Sequence, residues 1–114
     1  MTGLVIEHFH GAVTRVGPTD TAFPHRTVGY NFLTVSEWLD AADTRANVAW
    51  ARDAYGAMAS HFTAGRYVNY LNADEVGEDT AISAAFGPNW KRLREVKRKY
   101  DPDNVFHLNQ NIKP

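Results

Sequence analysis

The sequence predicts an α+β domain in which helices cover one face of a mainly antiparallel sheet. Strand-like runs rich in β-branched and aromatic residues occupy the first third of the 114-residue chain. Two later stretches repeat apolar residues at three- and four-residue steps, the mark of amphipathic helices. Read along the chain, the elements run β-β-α-β-α-β. With 44% apolar and 22% charged residues the composition is that of a globular chain, and the length suits one domain burying roughly 65% of its unfolded surface.

Leu4 to Val16 (LVIEHFHGAVTRV) reads as the first strand, with Gly11 marking a bulge or a close approach. GPTDT, Gly17 to Thr21, is a turn cluster. After FPHR at Phe23 to Arg26, the run YNFLTVSEW reads as a second strand. A helix follows, because Val48, Ala51, Tyr55, Met58 and Phe62 line one face. Asp40 and Asp43 stand near its start, where carboxylates favour the helix dipole, and Gly65 takes the stop position.

RYVNYLNADE, Arg66 to Glu75, reads as the end of a third strand, since tyrosine favours half-buried sheets. Side chains alternate across an extended chain, so Tyr67 and Asn69 would share one face, and Val68 and Tyr70 the other. An acidic loop from Asp74 to Asp79 and the short run TAISAAF lead to the breaker Gly87-Pro88. A second helix starts near Pro88 or Asn89, with Trp90, Leu93, Val96 and Tyr100 as its apolar stripe, and Asp101-Pro102 stops it. The tail NVFHLNQNIKP is expected to be extended. No repeat, linker or low-complexity segment interrupts the chain.

Several function classes fall away. A net charge of −1 argues against a general polyanion binder, and the absence of cysteine excludes disulfides, zinc-thiolate sites and thiol catalysis. The start MTGLVIEHFHG lacks the basic and long apolar regions of a signal peptide. No run approaches the ~20 apolar residues that span a bilayer. The expectation is a cytoplasmic chain with neither membrane nor nucleic acid as partner. Lys91, Arg92, Arg94, Lys97, Arg98 and Lys99 hold six of the twelve cationic side chains. They could grip phosphates, but no base-stacking aromatics alternate with them, which favours a solvated helix face. His8 and His10 would share one side of a strand within reach of one metal ion. Two ligands make a weak site, so no metal is expected. Dinucleotide, P-loop, zinc-protease and nucleophile-elbow patterns are all absent from the sequence.

Four separated pieces carry more. GAVTRV, TAFPHR, RYVNYLNADE and FGPNWKRLREVKRKYDPDNVFHLNQNI stand in an order and spacing that resembles the C-terminal region of berberine-bridge-enzyme-like FAD-linked oxidoreductases, of the vanillyl-alcohol-oxidase superfamily. The resemblance runs along nearly the whole chain and is strongest over Arg66 to Tyr70 and Phe86 to Ile112. It implies that residues 1–65 form part of a substrate-domain sheet plus a helix, and residues 66–114 the berberine-like C-terminal segment. It implies FAD as the cofactor of the complete enzyme, held by an N-terminal module without counterpart in this chain. The expected function is then the substrate-side portion of an FAD-dependent oxidoreductase. Its substrate would be a small molecule oxidised at an alcohol or amine carbon, a hydroxylated sugar or a secondary metabolite. Alone, the chain is expected to be inactive and not to retain FAD, and to pair with an FAD-binding domain or subunit, or with itself as a homo-oligomer. The competing expectation is a stand-alone interaction module without catalysis.

Carried over by position, the resemblance places Tyr67 and Asn69 against the flavin and makes Tyr70 the catalytic base. A phenol, with an ordinary pKa of about 10, serves as base where positive charge or hydrogen-bond donors favour phenolate. Aligned through Tyr30 and Trp38, Asn31 falls where some relatives have a pocket-facing glutamate. An amide is no base, so Asn31 is expected to line the substrate pocket and shape specificity. Where such relatives continue Arg-Asp after the last tyrosine, this chain has Leu71-Asn72. His25 and Arg26 read as structural, with Arg26 holding a carboxylate or backbone carbonyls, and Asn109, Gln110 and Asn111 as partners of backbone groups.

Overall fold

The computed structural model describes residues 2–63, 65–71 and 79–114. The acidic loop from Asp74 and the departure at Asn72 lie outside these residues. The chain forms two compact units, one of Met1–His10 with Val28–Ala64 and one of Gly11–Thr27 with Gly65–Pro114.

The first unit is built on a hairpin. β1 (Thr2–Phe9) pairs antiparallel with β2 (Gly29–Ser36), with Thr2 opposite Ser36 and Phe9 opposite Gly29. The first strand stops well short of Val16. Gly11 adopts φ +66, a left-handed conformation that breaks the ladder, and Gly11–Arg15 winds into a 3-10 turn instead.

Helix α1 (Thr44–Ala57) packs on β2. The two carboxylates stand at its entry as expected: Asp40 accepts from the Ala42 N–H at 2.8 Å and caps the short turn Ala41–Asp43, and Asp43 leads into α1 without a side-chain cap bond. Ser36 donates to the Asn47 side chain at 2.9 Å, fastening the helix to the end of β2. The expected stripe is the packed face, since Tyr55 meets Phe62 with ring centroids 4.7 Å apart and Phe62 meets Phe32 at 5.8 Å. The helix itself ends at Ala57, earlier than the stripe implied. Gly56 weakens its last turn, the Met58 N–H closes on Tyr55 O at 3.1 Å, and Ala59–His61 continues as 3-10.

The second unit contains α2 (Asp79–Phe86) and α3 (Trp90–Tyr100). TAISAAF is therefore helical. Its small and apolar side chains supply the buried Ile82 and Ala85, which meet Leu71, with Val68, Phe86 and Trp90 packed around them. Gly87, at φ +50, and Pro88 redirect the chain from α2 into α3. Between them and α3 sits Asn89, 6% exposed, whose amide donates to Pro18 O at 2.8 Å and Ala22 O at 3.3 Å. One side chain thus ties the 11–27 segment to the helix junction.

On α3, Trp90, Leu93 and Val96 are half-buried as the stripe predicted, but Tyr100 is 73% exposed. The helix ends at Asp101, whose carboxylate receives the Lys97 ammonium and the N–H groups of Val105 and Phe106 at 2.7 and 3.1 Å. Lys97 also donates to Phe106 O at 2.6 Å, so the pair folds the tail back onto the helix. The third and fourth expected strands are absent among the described residues. Val68–Tyr70 is a 3-10 turn, and the tail after Asp101 joins no ladder. The class remains α+β, with a two-stranded sheet. No helix among the described residues is long and apolar enough to cross a membrane.

Two consequences are measurable. Ile82, 1% exposed, has no room to be trimmed without a void, so Ile82→Ala should cost about 2–5 kcal/mol, read by urea unfolding at Trp90 fluorescence. A cost below ~0.5 kcal/mol would show that this core is not closed. The Lys97 hydrogen bond, helped by the two backbone N–H groups and opposed by burial, holds the Asp101 carboxyl below its usual range. A depressed carboxylate contributes stability in full above the ordinary value near 3.9, and loses it as pH falls through the folded value. Asp101→Asn should therefore lower Tm at neutral pH and flatten the acid limb of the stability profile. An unchanged acid limb would rule the pair out as an anchor.

Candidate functional site

The site grows from the residues around the Val68–Tyr70 turn. Tyr67 enters it extended (φ −77, ψ 122), and Leu71 leaves it extended (φ −67, ψ 133). Tyr70 N–H closes on Tyr67 O at 2.9 Å and Leu71 N–H on Val68 O at 3.3 Å. In a 3-10 turn residues three apart lie above one another. Val68 and Leu71 are such a pair, and both pack on the Ile82–Ala85 core. Tyr67 and Tyr70 are the other pair. Their rings meet edge to face, centroids 5.0 Å apart at 79°.

This corrects the strand alternation, which set Tyr70 on the opposite face from Tyr67 and Asn69. The turn brings all three together. The Asn69 amide donates to the Tyr67 hydroxyl at 2.8 Å, and Tyr70 stands beside them, 37% exposed. An amide–phenol hydrogen bond fixes both groups, and the Asn69 side chain carries a second donor and an acceptor.

Next to the turn runs a groove of about 320 Å³, lined among others by Phe23, His25, Tyr67, Val68, Asn69 and Phe86. That volume is at the lower end of small-molecule sites. Its walls are mainly apolar, and the Tyr67–Asn69 pair gives it one polar edge. Such a surface suits a flat heteroaromatic ring with hydrogen-bonding groups along its rim. Phe23 meets Tyr67 edge to face at 5.3 Å. Arg26 holds backbone carbonyls, as the sequence suggested: it donates to Phe23 O and Val13 O, each at 3.1 Å, and to Thr21 Oγ1 at 2.6 Å. His25 Nε2 lies 2.8 Å from Arg66 O. Gln110 reaches Leu71 O at 3.5 Å, the backbone role expected of the tail.

Asn31 belongs to the hairpin unit. It faces Glu7 in the antiparallel register, and its amide donates to the Glu7 carboxylate at 2.6 Å. Sequence reasoning passed over Glu7, because the pairing that opposes it to Asn31 depends on a register that no local pattern states. His8 and His10 do share one side, with ring centroids 4.5 Å apart, and His8 stacks on Tyr30 at 4.7 Å. Among the described residues no three histidine, aspartate or glutamate side chains group as metal ligands.

Comparison with known proteins adds the lineage. The family described as "Berberine and berberine like" matches residues 66–113. Berberine bridge enzyme-like 23 of Arabidopsis thaliana is 33% identical over 127 aligned positions, covering 97% of this chain and 24% of the relative. YgaK of Bacillus subtilis (strain 168), an uncharacterized FAD-linked oxidoreductase, is 35% identical over 106 positions, 91% of this chain and 22% of its own length. Tetrahydroberberine oxidase of Berberis wilsoniae is 28% identical, with 97% and 24% covered.

Among solved structures, wild-type Phl p 4.0202, a glucose dehydrogenase, superposes with TM-score 0.80 at 25% identity, over 97% of this chain and 26% of that one. A variant of berberine bridge enzyme superposes with TM-score 0.76 at 24% identity, over 97% and 26%. The chain spans about a quarter of the length of the relatives it matches. Residues 66–113 thus form a berberine-like segment, within a chain that is similar along nearly its whole length to a quarter of berberine-bridge-enzyme-like proteins and shares their fold.

Proposed function

We propose that this chain is the substrate-side portion of an FAD-dependent oxidoreductase that oxidises an alcohol or amine carbon of a small molecule. The observation that carries the proposal is the convergence of Tyr67, Asn69 and Tyr70 on one turn beside an apolar groove. The names of the relatives support the substrate class. One is a glucose dehydrogenase, which acts on a hydroxylated sugar, and another a tetrahydroberberine oxidase.

The groove fits a flavin in character. Phe23, Val68 and Phe86 offer apolar contact to a ring system, and the Tyr67 hydroxyl and Asn69 amide offer hydrogen bonds at its edge. A bound flavin supplies the two-electron acceptor for the substrate's hydride. Tyr67 and Asn69 bind and orient, each fixed by the other. Tyr70, as the phenolate, would take the proton from the substrate hydroxyl or amine and become the neutral phenol, a task open to a positioned side chain within hydrogen-bond reach. Asn31, with Glu7 as its partner, shapes the substrate pocket through an amide that orients polar groups without accepting a proton.

A second reading has an observation of its own. Val105, Phe106 and Leu108 are 67%, 82% and 81% exposed, which is unusual for three large apolar side chains so close in sequence and favours a chain that pairs with itself or another subunit. Light scattering at micromolar concentration should show a dimer or larger species. A monomer throughout that range would remove self-association.

In the full-length flavoenzyme carrying this chain, Tyr70→Phe should slow anaerobic flavin reduction at saturating substrate by about 10²- to 10⁴-fold. Tyr67→Phe removes only the acceptor of the Asn69 amide and should cost less. Reduction by the Tyr70 variant within about threefold of wild type, far under the range of a general base, would make that tyrosine structural. The 114-residue chain by itself should emerge from desalting out of excess FAD without flavin absorbance, since one wall of a site does not offset the entropy cost of binding. Stoichiometric absorbance would show that the groove alone suffices.

A further inference from the structure

The FPHR segment is tied to the tyrosine turn at a point that the proposed chemistry does not use. His25 Nε2 lies 2.8 Å from the carbonyl oxygen of Arg66, the residue immediately before Tyr67 and 41 positions away in sequence. A carbonyl only accepts, so a hydrogen bond of that length requires the proton on Nε2. The imidazole is itself held. Phe23 meets it edge to face at 5.4 Å, and the Phe23 ring lies under the Arg26 guanidinium at 4.9 Å. Arg26 in turn is fixed by two carbonyls and the Thr21 hydroxyl. Space at the contact is tight: a Cβ at Gly65 would come within 3.2 Å of the His25 ring. Glycine at that position is what lets the imidazole approach the backbone.

We propose that His25 is a positioning residue, whose Nε2–H bond to Arg66 O sets where Tyr67, and through it Asn69 and Tyr70, stand against the groove. The proposal rests on the site reading above and extends it to a residue that lines the same groove and acts through the backbone before Tyr67. Its logic is leverage. Fixing the carbonyl before Tyr67 fixes the peptide plane from which the tyrosine departs. The Phe23 ring, 5.3 Å from that of Tyr67, limits rotation on one side. The Asn69 amide then locks the hydroxyl end. Rearranging the first of these contacts moves the other two, whereas a histidine that merely filled space would leave them in place.

The first test needs no variant. Nitrogen-15 NMR of the chain at pH 8 should find His25 as the Nε2–H tautomer, and a proton on Nδ1 with bare Nε2 would overturn the proposal. The second test follows the neighbours. In His25→Leu the side-chain amide lines of Asn69 and the ring lines of Tyr67 should move, and His25→Gln, which carries an N–H at about the reach of Nε2, should restore them. Lines that stay put in His25→Leu would overturn the proposal. In the full-length flavoenzyme His25→Leu should lower the rate of flavin reduction by up to about 10²-fold, the scale of an ångström-level misplacement, with KM little changed and the Gln variant recovering most of the loss. A rise in KM alone would make His25 a binding contact and overturn it too. The two assignments fail separately. Undiminished reduction by Tyr70→Phe removes the base and leaves the NMR results standing, while a bare Nε2 removes the anchor and leaves the base.

Discussion

Burial of Val68 and Leu71 is the constraint on which the site depends. The two are three residues apart, and both pack on Ile82 and Ala85. A strand could not put both into one core, because residues three apart point to opposite faces. A 3-10 turn can, since it repeats every three residues. Once that turn forms, Tyr67 and Tyr70 are brought together on the side away from the core, and Asn69 lies between them in sequence. Apolar burial thus selects the conformation, and the polar cluster follows from it. Hydrogen bonds refine the arrangement but do not choose it.

The same economy runs through the second unit. Among the described residues few side chains are buried: Leu71, Ile82, Ala85 and Asn89. With so little apolar volume, polar fasteners between segments matter more than they would in a large core. Asn89 secures Pro18 and Ala22, His25 secures Arg66, and Asp101 with Lys97 secures the start of the tail. Each joins segments that local propensity alone would leave apart. In a family whose members are about four times as long as this chain, a unit built this way can keep its groove-side surface polar and aromatic and still hold its shape.

Legibility followed locality. The stripe of α1 and the Trp90–Leu93–Val96 face of α3 repeat over several turns, so a periodic pattern reports them. Asp40 at the helix entry and Asp101-Pro102 at the other helix's end are signals that act within a few residues, and both were readable. The tyrosine turn was not, because Tyr-Val-Asn-Tyr fits a two-residue period as well as a three-residue one. The deciding signal lay one residue further on, in the paired apolar positions Val68 and Leu71. Tyr100 continues the helical spacing but sits on the final turn beside the Lys97–Asp101 pair, where the helix has left the core. Glu7 opposite Asn31 and His25 against Arg66 are set by register and by long-range closure. No spacing within either segment announces them. The strand alternation put Tyr70 on the opposite face from Tyr67 and Asn69, where the structure brings the three together, which shows how little a four-residue pattern decides without its core.

The turn itself is open to direct measurement. Selectively labelled tyrosine in the chain allows nuclear Overhauser contacts between the Tyr67 and Tyr70 rings to be recorded, with those from Val68 and Leu71 methyls to Ile82. Rings 5.0 Å apart at their centroids predict strong ring–ring contacts, and a shared core predicts that both Val68 and Leu71 see Ile82. Absent ring–ring contacts, with Val68 alone reaching Ile82, would describe an extended strand and contradict the account at its base.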